Sequence, residues 1–203
     1  MKSKLIVFEG IEGCGKTTQI QLCYQWLQSL NIPVILTHEP GGTELGKDIR
    51  ELLLNKSPDK ITELLLYAAD RAQHTQEVLK PALATGKHIL CDRFTNSTIA
   101  YQGYGRKIDM DLIHKLNQIA TGGLKPDITI WIDVDVETGL LRKVNQKRLD
   151  RIEEETIDFH NQVRLGYSAM YLNQASLIVQ VDGNQQQLVV QKNIQNILRK
   201  YFI

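Results

Sequence analysis

The sequence predicts an α/β fold in which a five-stranded parallel sheet is flanked by helices. Five short runs of aliphatic and β-branched residues recur along the chain. They are nearly continuous rather than alternating, which is typical of strands covered on both faces. Amphipathic segments long enough for helical crossovers separate the runs, and a glycine-rich segment directly follows the first of them. These three observations together favour parallel strands joined by helices.

Length and composition favour one ordinary globular domain spanning residues 1–203. The chain is 42% hydrophobic and 23% charged, with a net charge of +1. This charge argues against a general nucleic-acid or membrane binder, so any polyanion that it binds is expected to be small. The first apolar run is shorter than a signal-peptide core, and no later run approaches the length of a membrane span. The three cysteines contain no CxxC, which argues against a disulfide framework and favours a reducing, cytoplasmic location.

The predicted elements follow from these patterns in chain order. The strands are expected at residues 5–8, 33–37, 88–91, 127–132 and 177–181. Seven helices are expected at residues 16–29, 44–54, 61–83, 109–120, 136–143, 154–173 and 187–202. Gly86 ends the third helix, and Gly122 with Gly123 stops the fourth, because glycine readily adopts the left-handed conformation that follows a helix.

The segment 142–151 differs from the other elements. It reads RKVNQKRLDR, with five positive charges against one negative and no sustained apolar face. This pattern favours a short basic lid at about 142–153, a loop that closes over a site; a solvated helix end is the alternative.

A phosphate-binding motif lies between the first strand and the first helix. Residues 10–17 match GxxxxGK[ST], and their glycines let several backbone N–H groups face one phosphate chain at a helix N-terminus. Lys16 is predicted to reach the β and γ phosphates and Thr17 to ligate Mg²⁺. A plain glycine-rich turn is the alternative. The predicted ATP-binding residues here are Gly10, Ile11, Glu12, Gly13, Cys14, Gly15, Lys16, Thr17 and Thr18.

A second acidic residue is expected for the magnesium ion, at the end of a neighbouring buried strand. Asp92 follows the run 88–91, and Asp133, which follows residues 128–132, is the rival candidate. Asp92 is preferred because Arg93 follows it directly and puts a second cation beside the transferring phosphoryl group.

Six segments together resemble the thymidylate kinases, bacterial-type members of the P-loop nucleoside-monophosphate kinases. These segments are FEGIEGCGKTTQ (8–19), HEPGGTELGKDIRELLL (38–54), LLYAADRAQH (65–74), CDRFTNSTIAYQG (91–103), LDRIEEE (149–155) and VDGN (181–184). The resemblance spans nearly the whole chain. It implies the three-layer P-loop NTPase fold, a homodimer, and transfer of the γ-phosphoryl group of ATP to dTMP with Mg²⁺, in dTTP biosynthesis.

The resemblance also implies a dTMP site. Tyr67 stands where the family stacks an aromatic ring on thymine, and Arg71 where an arginine hydrogen-bonds the base. Arg93 and Arg50 match arginines that hold the acceptor phosphate. For Tyr67 and Arg71, an ordinary surface cation–π pair four residues apart is the alternative. For Arg50, the alternative is a surface salt bridge.

Further contacts are implied around the base and the sugar. Ser97 and Thr98 fall where the family has short polar contacts to the base. Tyr101 falls where an aromatic ring packs under the deoxyribose, or is a core tyrosine. Glu12 falls where a loop carboxylate approaches the 3′-hydroxyl and is counted among the catalytic residues, or it is a partner of the helix dipole.

The catalytic arginine is expected from the lid. The family supplies it either from the phosphate loop or from the lid, and positions 13 and 14 are here Gly and Cys. Arg151 is preferred because it belongs to the Leu-Asp-Arg match, with Arg148 second. Arg142 is third and is also predicted to contact ATP. The lid departs from the family pattern, because Lys147-Arg148 replaces the expected Gly-Glu.

Two other functions stay open at this point. Another nucleoside-monophosphate kinase would share most of these motifs. A nucleotide-switch or nucleic-acid-dependent ATPase would need a guanine-reading NKxD or a broad basic surface, but Asn55-Lys56 is followed by Ser57-Pro58.

Overall fold

The computed structural model describes residues 2–144, 150–173 and 176–202. Within these residues, five parallel strands form one sheet in the order β2-β3-β1-β4-β5. The strands are β1 Leu5–Glu9, β2 Val34–His38, β3 His88–Asp92, β4 Ile128–Asp133 and β5 Ile178–Asp182. Each agrees with the predicted strand to within one residue at either end. The predicted α/β sheet is therefore confirmed.

Helices cover both faces of this sheet. They are α1 Lys16–Ser29, α2 Glu44–Asn55, α3 Lys60–His74, α4 Lys80–Ala84, α5 Thr95–Thr98, α6 Met110–Thr121, α7 Val136–Val144, α8 Ile157–Asn173 and α9 Gln187–Phe202. In the buried strand β1, Ile6 and Phe8 belong to one apolar cluster and Leu5 and Val7 to another. Successive side chains of a strand point to opposite faces, so both faces are covered in a three-layer arrangement.

The predicted helix 61–83 is interrupted. A π-helical turn, Thr75–Leu79, separates α3 from α4. Pro81 lies two residues beyond this turn. It has no N–H to donate and its ring would meet the carbonyl of Glu77, so the backbone widens locally.

The sequence patterns missed the helical segment after β3. The short helix α5 leads into a second π-helical stretch, Ile99–Gly105, which packs extensively on α8. The approach is close: a Cβ at Gly166 of α8 would lie 2.8 Å from the Tyr104 ring and 3.1 Å from the Ala100 backbone. This contact brings the residues after β3 to the carboxyl edge of the sheet.

The predicted lid is partly helical. Helix α7 contains Arg142 and Lys143, and α8 begins at Ile157 because Thr156 caps it, its Oγ1 accepting from the Phe159 N–H at 3.2 Å. Lys147 and Arg148 lie outside the described residues. In the part of the chain that the structure describes, no helix has both the length and the apolarity of a membrane crossing.

Candidate active site

The predicted phosphate loop joins β1 to α1. Gly15, the last residue before α1, cannot cap the helix through a side chain, so the N–H groups of the first turn remain directed at the loop. Gly13 adopts φ +69°, and a Cβ there would lie 1.9 Å from the carbonyl oxygen of Gly139 in α7. The loop therefore lies directly against α7 and has no room for a side chain at this position.

Lys16 places its ammonium group inside the loop. Its Nζ donates to the carbonyl oxygens of Gly10 and Ile11, each at 3.0 Å, and lies 3.5 Å from the Cys14 Sγ. The side chain is buried. The loop thus holds a cation at the place where it would curl around a phosphate chain.

Thr17 and Asp92 form the predicted metal-binding pair. The Thr17 hydroxyl donates to Asp92 Oδ2 at 3.2 Å, while the buried Asp92 Oδ1 has no hydrogen-bond partner among the described residues. The rival Asp133 instead binds Arg164 at 2.8 and 3.2 Å and accepts from Gln180. The structure therefore brings Asp92, and not Asp133, to Thr17.

Arg93 extends its guanidinium into the site from a strained backbone position. Its φ is +70°, a left-handed conformation that side chains other than glycine rarely adopt. Nη2 contacts the Glu12 carboxylate and donates to the Tyr101 hydroxyl at 3.1 Å, and the guanidinium carbon lies 4.9 Å from the centre of that ring. Strain of this kind is common at functional sites, where surrounding contacts hold the residue in place.

Glu12 is ionised beside this arginine. Burial alone would raise the pKa of Glu12, but the charges of Arg93, Lys16 and Lys143 outweigh burial and lower the pKa to about 2. The Tyr101 hydroxyl also donates to Glu12 at 3.0 Å. The carboxylate thus connects the phosphate loop with the segment after β3.

Glu9, which the sequence analysis missed, organises the same region. It accepts from the backbone N–H groups of Phe94 and Ser97, and from the hydroxyls of Ser97 at 2.6 Å and Tyr167 at 2.8 Å. Burial raises its pKa, against the opposing effect of Arg93. The available signal was its position: like Asp92, it is an acidic residue that ends a buried apolar strand.

Arg71 is held in one orientation by four acceptors. Its guanidinium donates to Glu39 at 2.7 Å, to the hydroxyl of Thr98 at 2.7 Å and to the side chain of Asn117 at 2.8 Å. A further bond goes to the Phe94 carbonyl at 3.0 Å. Because Arg71 is only 2% exposed, the alternative of a surface cation–π pair with Tyr67 is wrong.

All eight residues predicted to bind dTMP line one cavity of about 450 Å³, the first cavity. They are Glu12, Arg50, Tyr67, Arg71, Arg93, Ser97, Thr98 and Tyr101. Arg50 reaches it from α2, where its guanidinium donates to the Pro40 carbonyl at 3.0 Å. The cavity is thus lined by two aromatic side chains, those of Tyr67 and Tyr101, and by the three arginines Arg50, Arg71 and Arg93.

A second cavity of about 480 Å³ adjoins the first. Seven of the predicted ATP-binding residues of the loop line it, Glu12, Gly13, Cys14, Gly15, Lys16, Thr17 and Thr18, together with Arg142. Gly10 and Ile11 do not line it; their carbonyls accept from Lys16 instead. Arg142 donates to the Gly183 carbonyl at 3.1 Å, and the amides of Gln185 and Gln186 complete a polar wall that the sequence analysis did not anticipate.

Arg151, the preferred lid arginine, is engaged away from these cavities. Arg151 donates to the Leu53 carbonyl at 3.0 Å and to Glu63 at 2.6 Å, and it is not among the residues lining either cavity. Arg148 lies outside the described residues. The catalytic roles of Arg151 and Arg148 therefore stay predictions.

The fold and the site define a phosphoryl-transfer enzyme of the P-loop NTPase class. The phosphate loop lines the second cavity, and the first cavity, which adjoins it, is lined by three arginines. Such an arrangement suits a nucleoside triphosphate beside a small phosphorylated acceptor.

Comparison with known proteins identifies the family. The thymidylate kinase family model matches residues 8–194. A thymidylate kinase of Trichormus variabilis is 63% identical over 203 residues, which cover 98% of this chain and 96% of the relative, and one of Gloeobacter violaceus is 53% identical over 81% and 80% of the two chains. The crystal structure of thymidylate kinase from Ehrlichia chaffeensis superposes with a TM-score of 0.82 at 35% identity and covers 98% of this chain and 100% of that one. The chain belongs to the thymidylate kinase family.

Proposed function

We propose that the first cavity binds dTMP and the second binds ATP, so that the γ-phosphoryl group passes to dTMP where the two cavities meet. The reaction, which yields dTDP and ADP, is the activity that membership of the family gives this enzyme. The observation that carries the place of transfer is that Glu12, Lys16, Thr17 and Lys143 line both cavities. The transferred group would lie among these four side chains.

The chemistry at this junction is mainly charge neutralisation. The acceptor phosphate is already anionic near neutral pH, so no strong general base is required. The obstacle is bringing two polyanions together in line. Lys16 on the donor side and Arg93 on the acceptor side lower that barrier, because their charges are held in place before the substrates arrive.

Mg²⁺ is proposed at Thr17 and Asp92. The unpartnered Asp92 Oδ1 and the adjacent hydroxyl of Thr17 are hard oxygen donors of the kind that Mg²⁺ prefers. Among the described residues no group of three His, Cys, Asp or Glu side chains could hold a metal ion. A site with one carboxylate suits Mg²⁺, which usually takes its other ligands from phosphates and water. When bound, the ion neutralises charge on the β and γ phosphates.

The acceptor assignment is tested by measuring ADP release with dTMP, dUMP, dCMP and AMP under one coupled assay. We expect kcat/KM to be highest for dTMP. The ribonucleotide of thymine is included because the Tyr101 ring is proposed to pack under the deoxyribose, and we expect it to react at least about tenfold more slowly than dTMP. A faster reaction with AMP or dCMP would point to another nucleoside-monophosphate kinase, and ATP hydrolysis without acceptor selectivity to a P-loop ATPase.

Arg71 is proposed to recognise the thymine base. Arg71→Met is expected to raise the KM for dTMP by about 10²-fold, because a hydrogen bond from a charged group to the base is lost. The Kd for ATP, measured by calorimetry, should change less than about threefold. If the ATP affinity fell more than the dTMP KM rose, the two cavities would be assigned the wrong way round.

The matched control for this variant is Arg106→Met. Arg106 also pairs with a buried carboxylate, that of Glu63 at 3.2 Å, and with the half-buried Glu155 at 2.6 Å, but it does not line either cavity. The Arg106→Met variant therefore measures the loss of stability that follows removal of a half-buried arginine, without a direct effect on binding of the base.

A homodimer is proposed, as the resemblance implies. Helices α2, α3 and α6 pack side by side and expose large apolar residues at helical spacing: Leu45 and Leu52, Ile61 and Leu65, and Leu112 and Ile119. Light scattering is expected to give twice the mass of one 23.1-kDa chain. The double change Leu52→Glu and Leu65→Glu should give monomers, whereas Leu172→Glu, on the exposed side of α8, should not. A monomeric wild type would refute the proposal.

We propose a cytoplasmic location. The three cysteines, Cys14, Cys23 and Cys91, are free and buried, which suits a reducing compartment that supplies ATP. Fractionation of cells that express the chain should place its dTMP kinase activity with the cytoplasmic proteins.

A further inference from the structure

One residue outside the phosphate loop lies at the junction of the two cavities. Of the four described residues that line both cavities, Glu12, Lys16 and Thr17 come from the loop or the start of α1, and Lys143 comes from α7. Lys143 therefore approaches the junction from the opposite side and adds a positive charge there.

Helix α7 is fixed on the phosphate loop by two glycines. A Cβ at Gly139 would lie 2.5 Å from the Glu12 carbonyl oxygen, and a Cβ at Gly13 would lie 1.9 Å from the Gly139 carbonyl. Neither position can carry a side chain without moving the helix away from the loop. Lys143 lies four residues after Gly139, on the same face of α7, so this contact holds the lysine over the loop.

The ammonium group of Lys143 is charged and oriented. Its Nζ lies 2.6 Å from Glu153 Oε1, and Glu153 Oε2 accepts from the Asp150 backbone N–H at 3.0 Å. Burial alone would lower the pKa of Lys143, but the Glu153 carboxylate outweighs burial and raises the pKa. The same charge contributes to the low pKa of Glu12 across the junction.

Among the lid residues that the structure describes, two other cations are placed less well for this position. Arg142 lines only the second cavity and binds the Gly183 carbonyl, while Arg151 is engaged by Glu63 and the Leu53 carbonyl. The phosphate loop has no arginine between residues 10 and 17. A cation is nevertheless required there, because negative charge gathers between the donor and acceptor phosphates.

We propose that Lys143 is a catalytic residue whose ammonium group bridges the γ-phosphate of ATP and the phosphate of dTMP, with Glu153 as its positioning residue. The inference rests on the proposed division of the two cavities. A phosphate oxygen of dTMP forms a bond to the γ phosphorus while the bond from that phosphorus to the β–γ bridging oxygen breaks. The electron pair leaves with ADP, and Lys143 keeps its proton throughout.

The test measures single-turnover transfer with both substrates saturating. Lys143→Met is expected to lower the rate by about 10²- to 10³-fold, as for loss of one fixed donor to a transition state. The dTMP KM and the ATP Kd should change less than about threefold. Lys143→Arg should recover the rate to within about tenfold of the wild type, because the charge is restored.

Two controls separate chemistry from packing. Lys4→Met removes a half-buried lysine that pairs with Asp127 at 3.0 Å, at the opposite edge of the sheet, and should leave the rate unchanged. Glu153→Gln removes the same ion pair as Lys143→Met, so equal loss of rate and of melting temperature in both would mean that Lys143 serves packing only. Lys143→Gln, which can still hydrogen-bond Glu153, replaces Lys143→Met should the methionine variant fail to fold.

The wild-type rate with dTMP in the same assay tests the proposed function separately. A wild type that transfers to dTMP, together with a Lys143→Met variant within threefold of it, overturns the assignment of Lys143 alone. A loss confined to Arg151→Met, with Lys143→Met unimpaired, would also overturn it and place the lid cation at Arg151. A rise in the ATP Kd without a change in the transfer rate would reduce Lys143 to a donor-binding residue.

Discussion

Replacing Arg93 by alanine is expected to lower the rate of phosphoryl transfer by about 10³-fold or more and to raise the KM for dTMP. Its guanidinium contacts Glu12, Tyr101 and Ser97 at the end of the first cavity that adjoins the phosphate loop. A planar fork of N–H donors held in this way places its positive charge beside the acceptor phosphate. Single-turnover transfer and dTMP KM, each measured with saturating ATP, check the expectation.

Two further variants of Arg93 separate its charge, its shape and its backbone. Arg93→Lys keeps the charge but loses the fork, so we expect it to recover only part of the rate. Arg93→Gly should be as inactive as Arg93→Ala but more stable by about 1 kcal/mol, because glycine adopts the φ of +70° without a Cβ clash. Near-normal transfer by Arg93→Ala would show that Arg93 has no role in the reaction. Equal stability of the Gly and Ala variants would show that the backbone at residue 93 is not strained.

The strands could be predicted because their signal is local. Each strand is a short aliphatic run bounded by polar residues. Because the strands are buried on both faces, the run is nearly continuous and its ends mark the ends of the strand. The helical breaks could not be located in the same way. The π turn before Pro81 lies within a pattern that stays amphipathic, and Ile99–Gly105 contains two glycines and no helical spacing. That segment is helical because α8 packs on it.

The same contrast between local and non-local signals applies to the residues of the site. Residues 10–17 are contiguous, so their chemistry can be inferred from the motif and its position after a strand. The groups that orient the site are not contiguous. Arg71 is held by Glu39, 32 residues earlier, and by Asn117, 46 residues later, and neither pairing has a local signal. Glu39 in turn binds His74 at 2.8 Å.

The lid shows why a motif alone ranks residues poorly. The sequence favours Arg151 because it belongs to the Leu-Asp-Arg-Ile-Glu segment, but in the structure Arg151 binds other parts of the protein. Glu63 accepts from Arg151, Arg106 and Gln102, and so joins the lid to α3 and to the stretch after α5. Lys143 carried no motif, and only the packing of Gly139 on the loop reveals where it points.

Replacing Lys16 by alanine is expected to abolish transfer, with a loss of at least about 10³-fold, and to weaken ATP binding. The Lys16 ammonium is directed at the loop carbonyls of Gly10 and Ile11, at the place where the β and γ phosphates would lie. Lys16→Arg should recover little, because a planar guanidinium does not fit a space shaped for an ammonium group. Circular dichroism and melting temperature check that the variants fold.

Hydrolysis of ATP measured without dTMP is expected to distinguish Lys16 from Arg93. Lys16 acts on the donor, so Lys16→Ala should lose this hydrolysis together with transfer. Arg93 faces the acceptor cavity, so Arg93→Ala should lose transfer while hydrolysis stays within about tenfold of the wild type. Retention of near-normal turnover by Lys16→Ala would refute the phosphate-loop assignment. Equal loss of hydrolysis in both variants would mean that the two cations act on the same phosphate, and the division between donor and acceptor sides would then be wrong.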